Sequence, residues 1–201
     1  MSKYLDGFEE FMKNGKRTAL AEPNPHRRAI LLNYNRHAAL EFSDEWQHIF
    51  TKTMTVDHPH YRVQLNMPEL ATFDGLDAVK GFYSALNTRV VWLQDEQLFV
   101  NDWGLASYST FGQFAKGHEV RGFGYEADDD DSSYAMLCPL AMFWPYSQDA
   151  KLIGEDVFQL APFQIFKCEP GDEFTFEERK RMLSDFVGDL SDFDEKATAS
   201  V

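Results

Sequence analysis

Ile30, Tyr34, Ala38 and Phe42 recur at four-residue spacing, the single stripe of an amphipathic helix. Asn24 and Pro25 stand just ahead, a capping side chain followed by a residue whose φ is already helical. Ser43 then offers a cap for a second helix. Asp44 and Glu45 fall at the positive end of its dipole, and Trp46, Ile49, Phe50 and Met54 form its inward stripe. The pattern predicts that these two helices pack as a hairpin. A third helix opens at Asp74-Gly75 and carries Leu76, Val79, Tyr83 and Leu86. Residues 1–23 are amphipathic but poorly periodic and read as an N-terminal extension.

Between the second and third helices the period changes to two. Tyr61, Val63 and Leu65 alternate with Arg62 and Gln64, so Thr55 to Leu65 is predicted to be a strand, with Pro59 marking an edge or a bulge. From Arg89 to Lys167 the chain is rich in β-branched and aromatic residues. Strands are predicted at Val90–Leu93, Leu98–Phe114, Val120–Tyr125, Tyr134–Tyr146 and Lys151–Leu160, with Ser147 to Ala150 as a turn. Gly104 and Gly112 would permit bends in a strongly curved sheet. Thr175 and Glu178 make a capping box for a final helix. Helices followed by strands argue for α+β rather than a doubly wound fold. The expected architecture is a cone-shaped, mainly antiparallel (mixed) sheet under three helices, an α+β barrel with an apolar pocket. Residues 24–170 form the domain, and 171–201 a C-terminal helix and acidic tail.

Composition narrows the possible functions. The formal charge is −14, which opposes binding to a phosphate backbone. The acidic runs at Asp128–Asp131 and Asp185–Glu195 read as a solvated loop and a solvated tail. Asp128 to Ser133 lacks the alternating ligands and the glycine of a calcium loop, and no metal or cofactor is expected. The apolar runs are all shorter than a membrane helix requires. The first residues do not read as a secretory signal, and Cys138 and Cys168 read as buried thiols. These features predict a cytoplasmic protein that engages neither membrane nor nucleic acid. The 18 Phe, 8 Tyr and 4 Trp supply more ring surface than a plain core needs and suit a pocket for a small apolar molecule. Trp46, Phe50, Phe82, Trp103, Met142 and Trp144 are the expected lining. A thick core or a homodimer interface would account for the same rings.

The chain has no Gly-rich phosphate loop, CxxC pair, HExxH or GxSxG. The acid–base candidates are Tyr34, Asp57, His58, His60, Asp102, His118, Glu155 and Asp156. The helix pair, Thr55-Val56-Asp57-His58-Pro59, and Phe73-Asp74-Gly75-Leu76-Asp77-Ala78-Val79-Lys80-Gly81-Phe82-Tyr83 together resemble the nuclear transport factor two-like superfamily over about residues 24–165. That group includes SnoaL-type polyketide cyclases, ketosteroid isomerases and scytalone-type dehydratases. The resemblance to the isomerases implies that Tyr34, ahead of Ala39-Leu40, donates a hydrogen bond to a substrate oxygen. It also implies that His58, before Pro59, accepts the proton. The second acid of those enzymes would fall near Ala141 or Met142, and neither can donate a proton. His60 is an alternative base. Asp102, read as mid-strand beside Trp103, is a candidate orienting group. Alternation sends one of Glu155 and Asp156 inward, where it could replace the missing acid. The reading is a cofactor-independent acid–base enzyme of isomerase, dehydratase or cyclase type acting on a small carbonyl compound. The alternative is a binding or dimerising module that does no chemistry.

Overall fold

The computed structural model describes residues 2–86 and 89–188, with Ala85 and Leu86 given as backbone only. The side chain of Leu86 and the acidic tail from residue 189 onward therefore lie outside the described residues.

Helix α1 (Lys3–Ala21) is capped by the Ser2 hydroxyl, which accepts from the Leu5 N–H at 3.3 Å. Phe8 and Met12 are fully buried where α1 lies across α2 and β3. The segment read as an extension is thus helical and contributes to the core. In α2 (Pro25–Phe42), the Asn24 side chain accepts from the N–H groups of His26 and Arg27, as the cap signal predicts. The second predicted helix does not form. Ser43 Oγ bonds back to the Leu40 carbonyl instead of capping forward, Asp44 turns left-handed at φ 67°, and Trp46–Phe50 makes only a short 3₁₀ turn.

Strand β1 (Thr55–Gln64) is followed by the short β2 (Ala71–Asp74) and by helix α3 (Leu76–Leu86). Gly75 reverses the chain between them at φ 83°, and its N–H donates to the Pro59 carbonyl at 2.9 Å. Next come β3 (Val91–Asn101), β4 (Gly104–Lys116), α4 (Gly117–Gly122), β5 (Ser133–Pro145), β6 (Leu152–Gln159), β7 (Gln164–Lys167) and α5 (Phe176–Val187). The strand predicted over Val120–Tyr125 is replaced by α4 and a turn. Glu119 Oε2 caps the Lys116 N–H at 2.8 Å, and Gly124 takes φ 84°. Thr175 and Glu178 form the predicted capping box at the start of α5.

The strands run in the order β2-β1-β6-β5-β4-β3, with β7 added on β5. The β1–β6 pair is parallel and the other pairs are antiparallel. The expected α+β class and mixed sheet are present, but β2 and β3 are free ends, so the sheet is open and does not close into a barrel.

Two interruptions shape it. Pro59 lies in a bulge, because Thr55 pairs with Leu152 while His60 already pairs with Gly154. Proline has no N–H to give to a ladder, and a bulge is where an inner strand tolerates it. On β3 the register slips between Gln94 and Gln97, with Asp95 at φ 55°. Such a bulge re-aims a side chain, and here it turns the Glu96 carboxyl toward α2. A third departure is at Asp102-Trp103, predicted as mid-strand. Asn101 pairs with Gly104, so these two residues are the tip of the β3–β4 hairpin.

Trp92 anchors the far end of the core. It is fully buried and packs on Tyr4, Phe114 and Phe174 at centroid separations of 5.0, 4.5 and 5.6 Å. Its indole N–H donates to Gln94 Oε1 at 2.9 Å. Gly112 leaves room for the ring, since any Cβ there would overlap it. Among the described residues no helix is long and apolar enough to cross a membrane.

Candidate functional site

Between the helices and the sheet lies a cavity of about 200 Å³. Its walls are largely apolar, with Phe42 from α2, Val63 from β1, Leu93 from β3, Phe111 from β4, Met142 from β5 and Val157 from β6. Tyr34, Glu41, Tyr83, Glu155 and Arg179 interrupt this lining with polar groups.

Glu155 enters the cavity by strand alternation. It pairs in register with Tyr61, which is also buried, while the next residue, Asp156, faces outward in a two-pronged bond with the Arg62 guanidinium. Glu155 is only 7% exposed, and among the described residues none donates a hydrogen bond to its carboxyl. Burial, reinforced by the negative charges of Glu41 and Asp156, raises its pKa well above the ordinary carboxyl range. Burial penalises the charged form, so the cavity favours the protonated form of this group.

Glu41 sits on the last turn of α2, one turn after His37. His37 is fully buried. Its Nε2 lies 2.8 Å from the Tyr83 hydroxyl and 3.4 Å from Glu41 Oε2. The Tyr83 hydroxyl in turn donates to Tyr61 at 3.4 Å. Two carboxyls, Glu155 and Glu41, thus border one apolar space, backed by an imidazole and two phenols. Paired groups whose surroundings separate their protonation states are the basis of acid–base chemistry at neutral pH.

Tyr34 lines the same cavity, but its hydroxyl is taken by a short bond to Glu96 Oε1. Burial pushes the Glu96 carboxyl up to about 8, opposed by the Tyr34 hydrogen bond. This shift has a consequence for stability. The unfolded chain releases that proton near the ordinary value of 4.5, whereas the folded chain retains it until about pH 8. Stability therefore falls as pH rises across that window. Glu96→Gln keeps an acceptor for Tyr34 without an ionisable group. Its stability advantage over the parent is expected to grow from pH 5 to pH 8 in denaturant titrations; parallel pH profiles would refute it.

The residues expected from the sequence are dispersed. His58 and His60 do not meet Tyr34. Both lie near the β2 edge and share Asp74 Oδ1 at 3.1 Å, with the His58 side chain 72% exposed. The Pro59 bulge and the pairing with β2 turn them there. The two imidazoles, His60 first, hold the Asp74 carboxyl below the usual range. Asp102, on its hairpin tip, is exposed and pairs with Arg27 at 2.7 Å, and Trp103 is half exposed. Neither reaches the cavity. Trp46 and Phe50 pack against the Tyr83 ring at 5.8 and 5.6 Å and stand outside the lining. Tyr34, Phe82, Met142 and Trp144 do line it.

His37, Glu41, Glu96 and Arg179 were not singled out from the sequence. For His37 and Glu41 a signal existed, since Tyr34, His37 and Glu41 fall on one helix face at spacings of three and four.

Fold and cavity together define a helix-covered, open-sheeted α+β protein with an internal, largely apolar cavity. Solved structures similar to it include two provisionally named polyketide cyclases and a hub domain. One, from Jannaschia sp. CCS1, is provisionally named a SnoaL-like polyketide cyclase; it is 12% identical, covers 69% of this chain and 90% of its own, and has a TM-score of 0.47. Another, from Xanthomonas campestris pv. campestris, is provisionally named a polyketide cyclase; it is 12% identical, covers 79% of this chain and 99% of its own, and scores 0.48. The S. rosetta CaMKII hub is 14% identical, covers 69% of this chain and 99% of its own, and scores 0.44. No family model and no curated protein matches the chain.

Proposed function

We propose that the cavity is the active site of a cofactor-independent acid–base enzyme acting on a small apolar carbonyl compound, by isomerisation, water loss or ring closure. The observation that carries this reading is the buried carboxyl of Glu155, which faces apolar space with the charge of Glu41 beside it. Protonated Glu155 donates a hydrogen bond to the carbonyl oxygen and stabilises the enolate. Glu41, with His37 at 3.4 Å, removes the proton from the adjacent carbon. Proton transfer by a positioned side chain typically contributes about 10²–10⁴-fold, and a donor aimed at the developing charge adds to it in a site that excludes water.

The test is exchange of α-protons in D₂O, followed by NMR, on a panel of cyclic ketones and 1,3-diketones. Enzyme-dependent exchange that disappears in Glu41→Gln is the expected result. Binding of the same ketones without any exchange would reduce the chain to a binding module.

We also propose that the chain is a homodimer through the sheet face away from the helices. Register places Phe99, Ala106, Phe143 and Asp156 in one row across β3 to β6, with Tyr108, Ala141 and Phe158 in the next. Phe99, Tyr108 and Phe143 are 60%, 44% and 41% exposed, and contiguous exposed rings of this kind mark association surfaces. Light scattering is expected to give the mass of two chains, and Phe143→Glu the 23.2 kDa of one. A single-chain mass for the parent protein would remove the dimer.

A further inference from the structure

We infer that the molecule held in this cavity carries a carboxylate, and that Arg179 binds it. The inference rests on the cavity being a small-molecule site but not on the chemistry proposed there.

Arg179 projects from the first turn of α5 and is 2% exposed. Arg179 lines the cavity, as do Phe42 and Val91. One nitrogen, Nη1, donates to the Val91 carbonyl at 2.8 Å. Nε is buried and, among the described residues, has no hydrogen-bond partner. The rest of the group lies over the Phe176 and Phe42 rings, at 5.0 and 5.8 Å. Among the described residues it forms no ion pair. Glu41 and Asp44 are the negative groups that act on it, from α2 and the turn after it.

A guanidinium has five N–H donors in a rigid fork and remains charged under all ordinary conditions. Burying it without a contacting counter-ion is strongly unfavourable; the guanidinium touches a carbonyl and aromatic faces, while Glu41 and Asp44 act on it through space. A planar anion entering the cavity would neutralise the charge and meet the fork with two parallel bonds. The apolar walls then accept the body of the molecule. The ligand class is a small hydrophobic monocarboxylate, with the reacting carbonyl, where there is one, directed toward Glu155.

Calorimetric titration of the full chain with 4-phenylbutanoate and with 4-phenylbutanamide separates charge from shape. The acid is expected to bind about 10- to 100-fold more tightly than the amide, the range of a charge-assisted hydrogen bond. In Arg179→Met that ratio should collapse toward one while amide affinity is retained, and Arg179→Lys should give an intermediate ratio. Equal affinities in the parent protein would overturn the inference, and if Arg179→Met does not fold, the parent ratio alone decides. A preference that survives in Arg179→Met would belong to protonated Glu155 and would also overturn it. Failure of α-proton exchange with the acid preference intact would remove only the enzymatic reading, whereas no binding of either compound would remove both.

Discussion

Replacing Trp92 by alanine is expected to lower the unfolding free energy by about 3–5 kcal/mol, the usual cost of deleting a large buried ring. The position explains the size. Trp92 joins α1 through Tyr4, the sheet through Phe114 and the segment before α5 through Phe174, so its loss leaves a void bounded by three elements. Gly112 makes the void hard to fill, because the residue opposite Trp92 in the β3–β4 ladder has no side chain to move into it. For a chain of this size each kcal/mol shifts Tm by about 2–4 °C, so thermal melting reads the effect directly. Leu20→Ala is the control. Leu20 is 67% exposed, and surface changes of that kind stay within about 0.5 kcal/mol. A loss below about 1 kcal/mol for Trp92→Ala would mean that α1 is not integral to the core.

The second large effect concerns turnover. Glu155→Gln preserves shape but replaces the carboxylic O–H with an amide N–H, a far weaker donor to the developing enolate. It should reduce kcat for α-proton exchange by about 10²-fold or more, with a smaller change in ketone affinity. Stability should move the other way. Because burial raises the folded pKa of Glu155, the wild-type chain loses stability as pH rises above the ordinary carboxyl value of 4.5. Glutamine removes that loss, so the variant should match or exceed the parent at pH 8. The parent's activity should also fall on the alkaline side as Glu155 ionises, and the variant's residual activity should lack that limb. Full activity in a folded Glu155→Gln protein would eliminate the assignment of Glu155 as the acid. A variant that is both inactive and less stable at every pH would point to packing instead.

What could be read from the residues divides along one physical line. Local signals held wherever the interaction is local. Asn24-Pro25 starts α2, Thr175 and Glu178 start α5, and Gly75 opens α3. The two-residue period over Tyr61 to Gln64 gave β1, and the order of helices and strands gave the α+β class. Local signals misled where a competing short-range bond prevailed. Ser43 bonded backward to Leu40, which ended one helix without starting another. Lys116 and Glu119 closed a turn where a strand was expected.

The site was only partly legible. Alternation correctly allowed one of Glu155 and Asp156 to face inward, and Tyr34, Phe82, Met142 and Trp144 reached the cavity wall. His58 and His60 did not, because the bulge at Pro59 and the pairing with β2 decide which way that strand presents them. The same holds for Glu96, turned inward by a slip in β3 register. It holds too for Arg179, which meets the cavity only because α5 folds back over residues far away in sequence. By itself the sequence determined the elements, their caps and the apolar faces, since these follow from spacing along a single chain. The tertiary structure alone decided which polar groups lost their water together and so became chemically useful, because burial and shared electrostatic field are properties of packed neighbours, not of neighbours in sequence.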